Sequence, residues 1–266
     1  MRFFTTALAV FVLIATTANG SPMLRMETKG KKGKSKTETQ QQSPTIKAIS
    51  DCHLTGTYKK GSFVSCSSIV IDSLTVPAGT TLGLSLAKTG ATIEFVGTSR
   101  FGTLEWEGPL VRVRGADVTA KGSGPESGVL GGQDSWYWDQ GQSIARLVFF
   151  KLKNVISPTV SGFTIKKMPF RTSSIVTSKD MMLRGLTIGN RTGNGIAKNT
   201  DSFDLTKNGH ITITGDKIYN QDDYLAMQSS ANTSTIVQGL TVQIENSDNG
   251  IRIKTIIGLK GLVPDV

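Results

Sequence analysis

The chain has 266 residues, of which only 38% are hydrophobic, with 29 glycines and a formal charge of +10. This size allows one large all-β domain or two small domains, and so much glycine argues for short strands and tight turns over long helices. The positive charge would attract acidic polymers, but the basic residues lack interleaved stacking aromatics, so no nucleic-acid partner is expected.

In chain order, residues 1–20 read as a secretory signal. Arg2 supplies the positive start, Ala7 to Ala15 an apolar core, and Ala18-Asn19-Gly20 the small residues of a cleavage site. That core is too short to cross a bilayer, and no later apolar run is long enough to do so. A soluble, exported, extracellular protein with no membrane partner is expected. Residues 21–45 read as a basic disordered leader or propeptide. Their run Lys29-Gly30-Lys31-Lys32-Gly33-Lys34-Ser35-Lys36 sits where too few apolar residues exist to build a core. The globular domain is expected over 46–266. Its two cysteines, Cys52 and Cys66, should pair in an oxidising compartment and close a small loop worth about 3 kcal/mol.

From Ile46 onward the pattern is strand and turn. Ile69-Val70-Ile71 and Leu74-Thr75-Val76 run into the turn Pro77-Ala78-Gly79-Thr80, and Ile93 to Val96 and Leu110 to Val113 follow. The best helical candidate is a short turn at Phe63 to Ser67. In the second half the chain repeats itself. Gly162-Phe163-Thr164-Ile165, Gly185-Leu186-Thr187-Ile188, His210-Ile211-Thr212-Ile213 and Gly239-Leu240-Thr241-Val242 form a series with central threonines 23, 25 and 29 residues apart. Such a period means stacked units. Asn190, Asn194, Asn208, Asn220 and Asn246 populate the turns, where Asn tolerates left-handed geometry and can form stacked side-chain hydrogen bonds. The fold implied is all-β, a right-handed parallel β-helix, whose neighbouring coils lie about 4.8 Å apart. A β-propeller would need blades of roughly 40 residues, which is too long for this period.

The chemistry concentrates at three acids. Asp201 precedes Asp222 and Asp223 by about one coil, so all three can share one face on adjacent rungs. Carboxylates crowded this way repel, and at least one should keep its proton at neutral pH. An acid and a base then arise without histidine, which is what cleavage of a glycosidic bond requires. The cations of Arg252-Ile253-Lys254 follow, and an Arg fork matches a carboxylate. The residues therefore suggest a hydrolase of an acidic polysaccharide. Asn190-Arg191-Thr192 and Asn232-Thr233-Ser234 are N-glycosylation acceptors if the host is eukaryotic.

The order Asn199-Thr200-Asp201, Gln221-Asp222-Asp223, Arg252-Ile253-Lys254 resembles the polygalacturonases of glycoside hydrolase family 28, of oomycete or fungal type. Leu130 to Trp138, Asn199 to Asp204 and Ser247 to Lys254 extend the likeness, which covers roughly 46–266. The resemblance implies a pectin-lyase-like solenoid. It also implies an inverting enzyme that cuts α-1,4-galacturonosyl links of polygalacturonate or pectin, works as a monomer and uses no cofactor. Asp222 would be the general acid, and Asp201 and Asp223 would hold and deprotonate the attacking water. Arg252 and Lys254 would bind the galacturonate carboxylate, while Asn199 and Gln221 would position carboxylates or sugar hydroxyls. Three departures from the family pattern are visible. No Gly-His-Gly coil separates the acid pair from Arg252, as if one coil were deleted near Asn232. Ser178 and Tyr224 stand where relatives usually carry cysteines. The chain ends at Val266, before the family's last coils. A one-coil deletion would bring Arg252 and Lys254 about 4.8 Å closer to the acids. An impaired pectin-binding relative, or a truncated non-functional product, is the competing expectation.

Overall fold

The computed structural model describes residues 52–60, 66–84, 89–124, 126–141, 143–189, 191–193, 195–228, 235–239, 241–244 and 250–254. The signal and leader, Asn190, Asn232, the turn beginning at Phe63 and the segment next to Asn232 lie outside the described residues, as do the turn asparagines Asn194 and Asn246. The described residues belong to one compact unit, Ile46–Val266.

The chain winds into a parallel β-solenoid with three ladders of strands. The first joins Leu82–Leu84, Val111–Ala116, Phe150–Ile156, Ser173–Val176, Phe203–Thr206, Leu225–Gln228 and Ile251–Lys254. The second joins His53–Thr57, Ser68–Val76, Thr92–Val96, Thr119–Gly122, Thr159–Ser161, Lys179–Arg184, Gly209–Thr214 and Thr235–Gln238. The third leaves the end of Ser68–Val76 and continues through Thr98–Phe101, Val129–Gly131, Thr164–Lys166, Thr187–Gly189, Lys217–Asn220 and Thr241–Ile244. Every pairing is parallel, because each strand meets its counterpart one full turn later.

Strand alternation explains the core. In the second ladder Ile69, Ile93, Ala120, Val160, Leu183 and Ile213 stack in register, all turned inward and buried. In the third, Leu130, Ile165, Ile188 and Ile218 do the same. Each buried Val, Leu or Ile side chain in these stacks gains about 1.5–3 kcal/mol from leaving water. Corners are made by residues in left-handed geometry. At the corner expected from Pro77-Ala78-Gly79-Thr80, Gly79 takes φ +68 and the Thr80 N–H donates to Pro77 O at 3.2 Å. The two apolar runs before it form one strand, Ser68–Val76, which turns from the second ladder into the third past Ser73 at φ 49.

One detail of the repeat is corrected. Thr187 pairs with Lys217, and Lys217 with Thr241, whereas Thr212 pairs with Met182 and Ile236 in the second ladder. His210-Ile211-Thr212-Ile213 resembles the third-ladder segments because both are alternating β-branched strands. Similar composition does not distinguish one side of the solenoid from another.

Cys52 and Cys66 form a disulfide with their Cα atoms 5.9 Å apart. A short helix, Asp134–Asp139, lies inside the Leu130 to Trp138 segment. Its Tyr137 is fully buried, donates to Leu104 O at 3.2 Å and accepts from Leu104 N at 3.3 Å. Among the described residues no helix is long and apolar enough to cross a membrane.

Candidate active site

The three aspartates meet at the corner that feeds the first ladder. Asn199 takes φ 57 and turns the chain into Thr200, Asp201 and Ser202. One coil later Asn220 closes the strand Lys217–Asn220 and the chain turns through Gln221, Asp222 and Asp223. The two corners are sewn together. The Ser202 N–H donates to Asp223 O at 3.0 Å, and the Gln221 N–H donates to Thr200 Oγ1 at 3.0 Å. Asn220 Nδ2 lies 3.2 Å from Thr200 O, 3.1 Å from Ser202 Oγ and 3.0 Å from Asp223 O. Asn220, Thr200 and Ser202 are all buried, so these bonds are shielded from water and hold the corners in register.

That frame places the acids. Asp222 is half-buried; its Oδ2 accepts the Asn199 N–H at 3.0 Å and its Oδ1 the Asp223 N–H at 2.8 Å. Two main-chain donors therefore orient one carboxylate. Asp201 and Asp223 are buried beside it, and one oxygen from each of the three aspartates lies within 4.8 Å of the others. On the next rung Arg252 stands in register with Ala226, and its Nε is 3.2 Å from Asp223 Oδ2. The intervening strands Thr235–Gln238 and Thr241–Ile244 belong to the other two ladders, so a single turn separates the acid pair from Arg252.

The expected site residues take four kinds of place. The structure brings together Asp201, Asp222, Asp223 and Arg252. Asn199 acts through its main-chain N–H on Asp222. Gln221 is buried, and its Oε1 accepts from Thr200 Oγ1 at 3.3 Å, which ties this corner to the one a coil before. Lys254 is placed on its strand opposite Gln228, with its side chain outside the described residues. Sequence reasoning missed one pair. Asp204, buried on the first ladder, is bridged by Arg171 Nε at 3.3 Å. Its signal was present in the Asn199 to Asp204 motif, but register was needed to show it one coil before Ala226, in the column of Arg252. Both histidines lie on the second ladder, His53 near Asp72 at 3.7 Å and His210 near Asp180 at 3.2 Å. Ser178 is buried; its Oγ donates to Val176 O at 3.2 Å and accepts the Val155 N–H at 3.3 Å.

A cation is the other ligand such a cluster could hold. Arg252 already brings positive charge to Asp223, which works against a cation beside that carboxylate. An acid–base set facing a guanidinium fits the arrangement better.

A model of the glycosyl hydrolases family 28 matches residues 66–242. The chain belongs to glycosyl hydrolase family 28. It is 37% identical over 230 residues to a polygalacturonase of Cochliobolus carbonum, covering 76% of this chain and 63% of that protein. It is 36% identical over 231 residues to a probable endopolygalacturonase E of Aspergillus niger, covering 76% and 61%. The chain thus spans about three fifths of the length of the curated relatives it matches. Among solved structures, endopolygalacturonase I of Stereum purpureum, complexed with two galacturonate, superposes with a TM-score of 0.60 at 26% identity. That match covers 73% of this chain and 65% of the other. An endo-xylogalacturonan hydrolase from Aspergillus tubingensis shares the fold with a TM-score of 0.58 at 19% identity, over 72% and 62% of the two chains.

Proposed function

We propose that this family 28 chain hydrolyses α-1,4-galacturonosyl links of polygalacturonate. The observation that carries the reading is the cluster of Asp201, Asp222 and Asp223 with Arg252 on the adjoining rung. Asp222, the most exposed of the three acids, protonates the leaving glycosidic oxygen. Asp201 and Asp223 hold a water and take its proton as its oxygen attacks the anomeric carbon. The glycosidic bond breaks, and the proton from Asp222 goes to the leaving sugar. Arg252 presents Nε to Asp223, and its two Nη groups carry further donors. One guanidinium can therefore bridge Asp223 and a uronate carboxylate. Inversion rests on the family resemblance. The nearest oxygens lie within 4.8 Å, tighter than the roughly 6.5–9.5 Å between carboxyl groups of an inverting pair. The anomer first released, read by proton NMR, decides it.

An exported monomer is part of the same reading. Residues 1–20 would act as signal, 21–45 as a basic leader ahead of a domain beginning at 46, and Asn190 and Asn232 as glycan sites.

The Arg252–Asp223 ion pair also favours a second reading, binding of pectin without turnover. A guanidinium drawn onto the water-activating carboxylate blunts the base, and active sites are sensitive to errors near 0.5 Å. Release of reducing ends from polygalacturonate, measured against an Asp222→Asn control, separates the two. Release well above the control is expected for the hydrolase. Salt-sensitive retention on immobilised polygalacturonate, with no release above the control, would sink hydrolysis and leave binding.

A further inference from the structure

The segment that delivers Asn199 to Asp222 is clamped from outside the acid cluster. Upstream, the Arg191 guanidinium lies 3.9 Å from the centroid of the Tyr219 ring, on the strand that ends at Asn220. Downstream, Lys198 O receives Arg146 Nη1 at 3.4 Å. Between these points Gly193 O accepts two N–H groups, from Ile196 at 3.0 Å and from Ala197 at 2.8 Å, which draws Ala197 back onto Gly193. Asn199 follows two residues later and donates its N–H to Asp222 Oδ2 at 3.0 Å.

The wall behind Gly193 is Trp138. It is buried on the short helix Asp134–Asp139, where the adjacent Tyr137 hydroxyl is bonded in both directions to the Leu104 main chain. The helix is thereby tied to the solenoid, and the indole presents a fixed surface. Gly193 is buried against it, with Ala197 buried alongside. A Cβ on Gly193 would lie 2.5 Å from Trp138 Cη2, and 2.7 Å from both Trp138 Cζ3 and Ala197 Cβ. Carbon atoms pack at about 3.5–4.0 Å, so even one added carbon would displace the backbone here by about 1 Å. Trp138 thus fixes Gly193, and the Gly193 carbonyl fixes Ala197. The chain then carries that placement on to Asn199.

We propose that Trp138 and Gly193 are positioning residues for the general acid, setting the Asn199 N–H that aims the Asp222 carboxyl at the leaving glycosidic oxygen. The inference rests on the hydrolytic reading above and names what holds its acid in place. The Asp223 N–H reaches Oδ1 and the Asn199 N–H reaches Oδ2, so together the two donors fix the plane of the carboxyl group. A protonated carboxyl keeps acceptor capacity while it donates its proton, so both bonds persist in the working acid. With the Asn199 bond lost, the carboxyl turns about its terminal torsion, which is broad and soft. Proton delivery then suffers, whereas Arg252, on the next rung, keeps its place for binding.

The test separates proton delivery from the rest of the site. Turnover of polygalacturonate is compared with that of a galacturonate trimer carrying a dinitrophenyl leaving group, which departs without needing a proton. Trp138→Ala, Trp138→Phe, Gly193→Ala and Asp222→Asn are measured in the full chain, and melting curves check folding. Trp138→Ala and Gly193→Ala should each lower kcat on polygalacturonate about 10²-fold, the loss that follows a misplacement of about 1 Å, with KM kept within about twofold. On the dinitrophenyl trimer these variants, and Asp222→Asn, should lose less than about threefold, because the acid is bypassed. Trp138→Phe, which keeps a ring near Gly193, should lose less on polygalacturonate than Trp138→Ala. Should Trp138→Ala fail to fold, Trp138→Phe and Gly193→Ala carry the comparison. Equal losses on the two substrates, in variants that melt like the unmodified chain, would overturn the positioning role, as would an unchanged kcat in Gly193→Ala. Equal losses for Asp222→Asn on both substrates would remove Asp222 as the acid, and with it the role given to Trp138 and Gly193. Turnover of neither substrate by the unmodified chain would remove the hydrolytic reading itself and the positioning role built on it.

Discussion

At the scale of single residues, Asp216 is the clearest example of burial setting chemistry. It is fully buried, and desolvation pushes its carboxyl up to about 6, against the opposing pull of the Leu186 N–H, which donates to Oδ1 at 2.8 Å. A carboxyl raised in this way binds its proton more tightly in the folded chain. Its stabilising contribution is complete below the unfolded carboxylate value and is lost as pH rises through about 6. Asp216→Asn keeps an acceptor for Leu186 and removes the titration. Thermal unfolding should therefore favour the variant increasingly between about pH 4 and pH 7, by about 2–3 kcal/mol. A difference that stays constant with pH would mean Asp216 titrates at its ordinary value. Arg252 makes a second residue-scale prediction. Arg252→Ala should weaken polygalacturonate binding by about 1.5–3 kcal/mol, the worth of a charge-assisted bond, as read by calorimetry. Equal binding would mean that the guanidinium stays committed to Asp223.

Between coils, buried side chains supply bonds that the strand ladders cannot. Asn208 is the sharpest case. Its Oδ1 accepts the Ser178 N–H at 2.8 Å and its Nδ2 donates to Ile175 O at 2.7 Å, joining a corner to the preceding coil. Its role as a turn Asn was legible in the sequence; its partners were not, because they lie a whole turn of the solenoid away. Asn208→Ala would leave two buried main-chain groups unsatisfied and should cost about 2–4 kcal/mol in urea unfolding. A loss under about 0.5 kcal/mol, the scale of an ordinary surface change, would show that water replaces the side chain. The Thr212 misplacement has the same origin. A strand's alternation identifies which face is inward, but not which side of the solenoid the strand belongs to.

At the scale of the whole solenoid, the first ladder carries a run of cations. Arg112, Arg114, Lys151 and Lys153 stand on the first-ladder strands ahead of the aspartates, with Arg252 beyond them. A polyanion following this face would meet cations on both sides of the acid cluster. Retention on immobilised polygalacturonate should therefore weaken steeply between about 0.1 M and 1 M salt, as the screening length falls from about 10 Å to about 3 Å. The Asp222→Asn chain should show the same dependence, since that change leaves the cations in place. Retention insensitive to salt would mean that the basic face does not meet the polymer.

The sequence by itself determined the class of fold, the Cys52–Cys66 pairing and which acids and cations to examine. Each of these is written in local pattern: alternation, turn residues, a repeat of one coil, and an ordered set of motifs. It also carried the one-coil spacing that brings Asp201 to Asp222 and Asp223. Only the tertiary structure decided what those residues touch. It joined Gln221 to Thr200, put Asp204 under Arg171 and drew Arg252 onto Asp223. The physical reason is that the contacts of a solenoid are made one turn away. They depend on the length of each intervening turn and on the ladder each strand joins, and neither is contained in the strand's own residues.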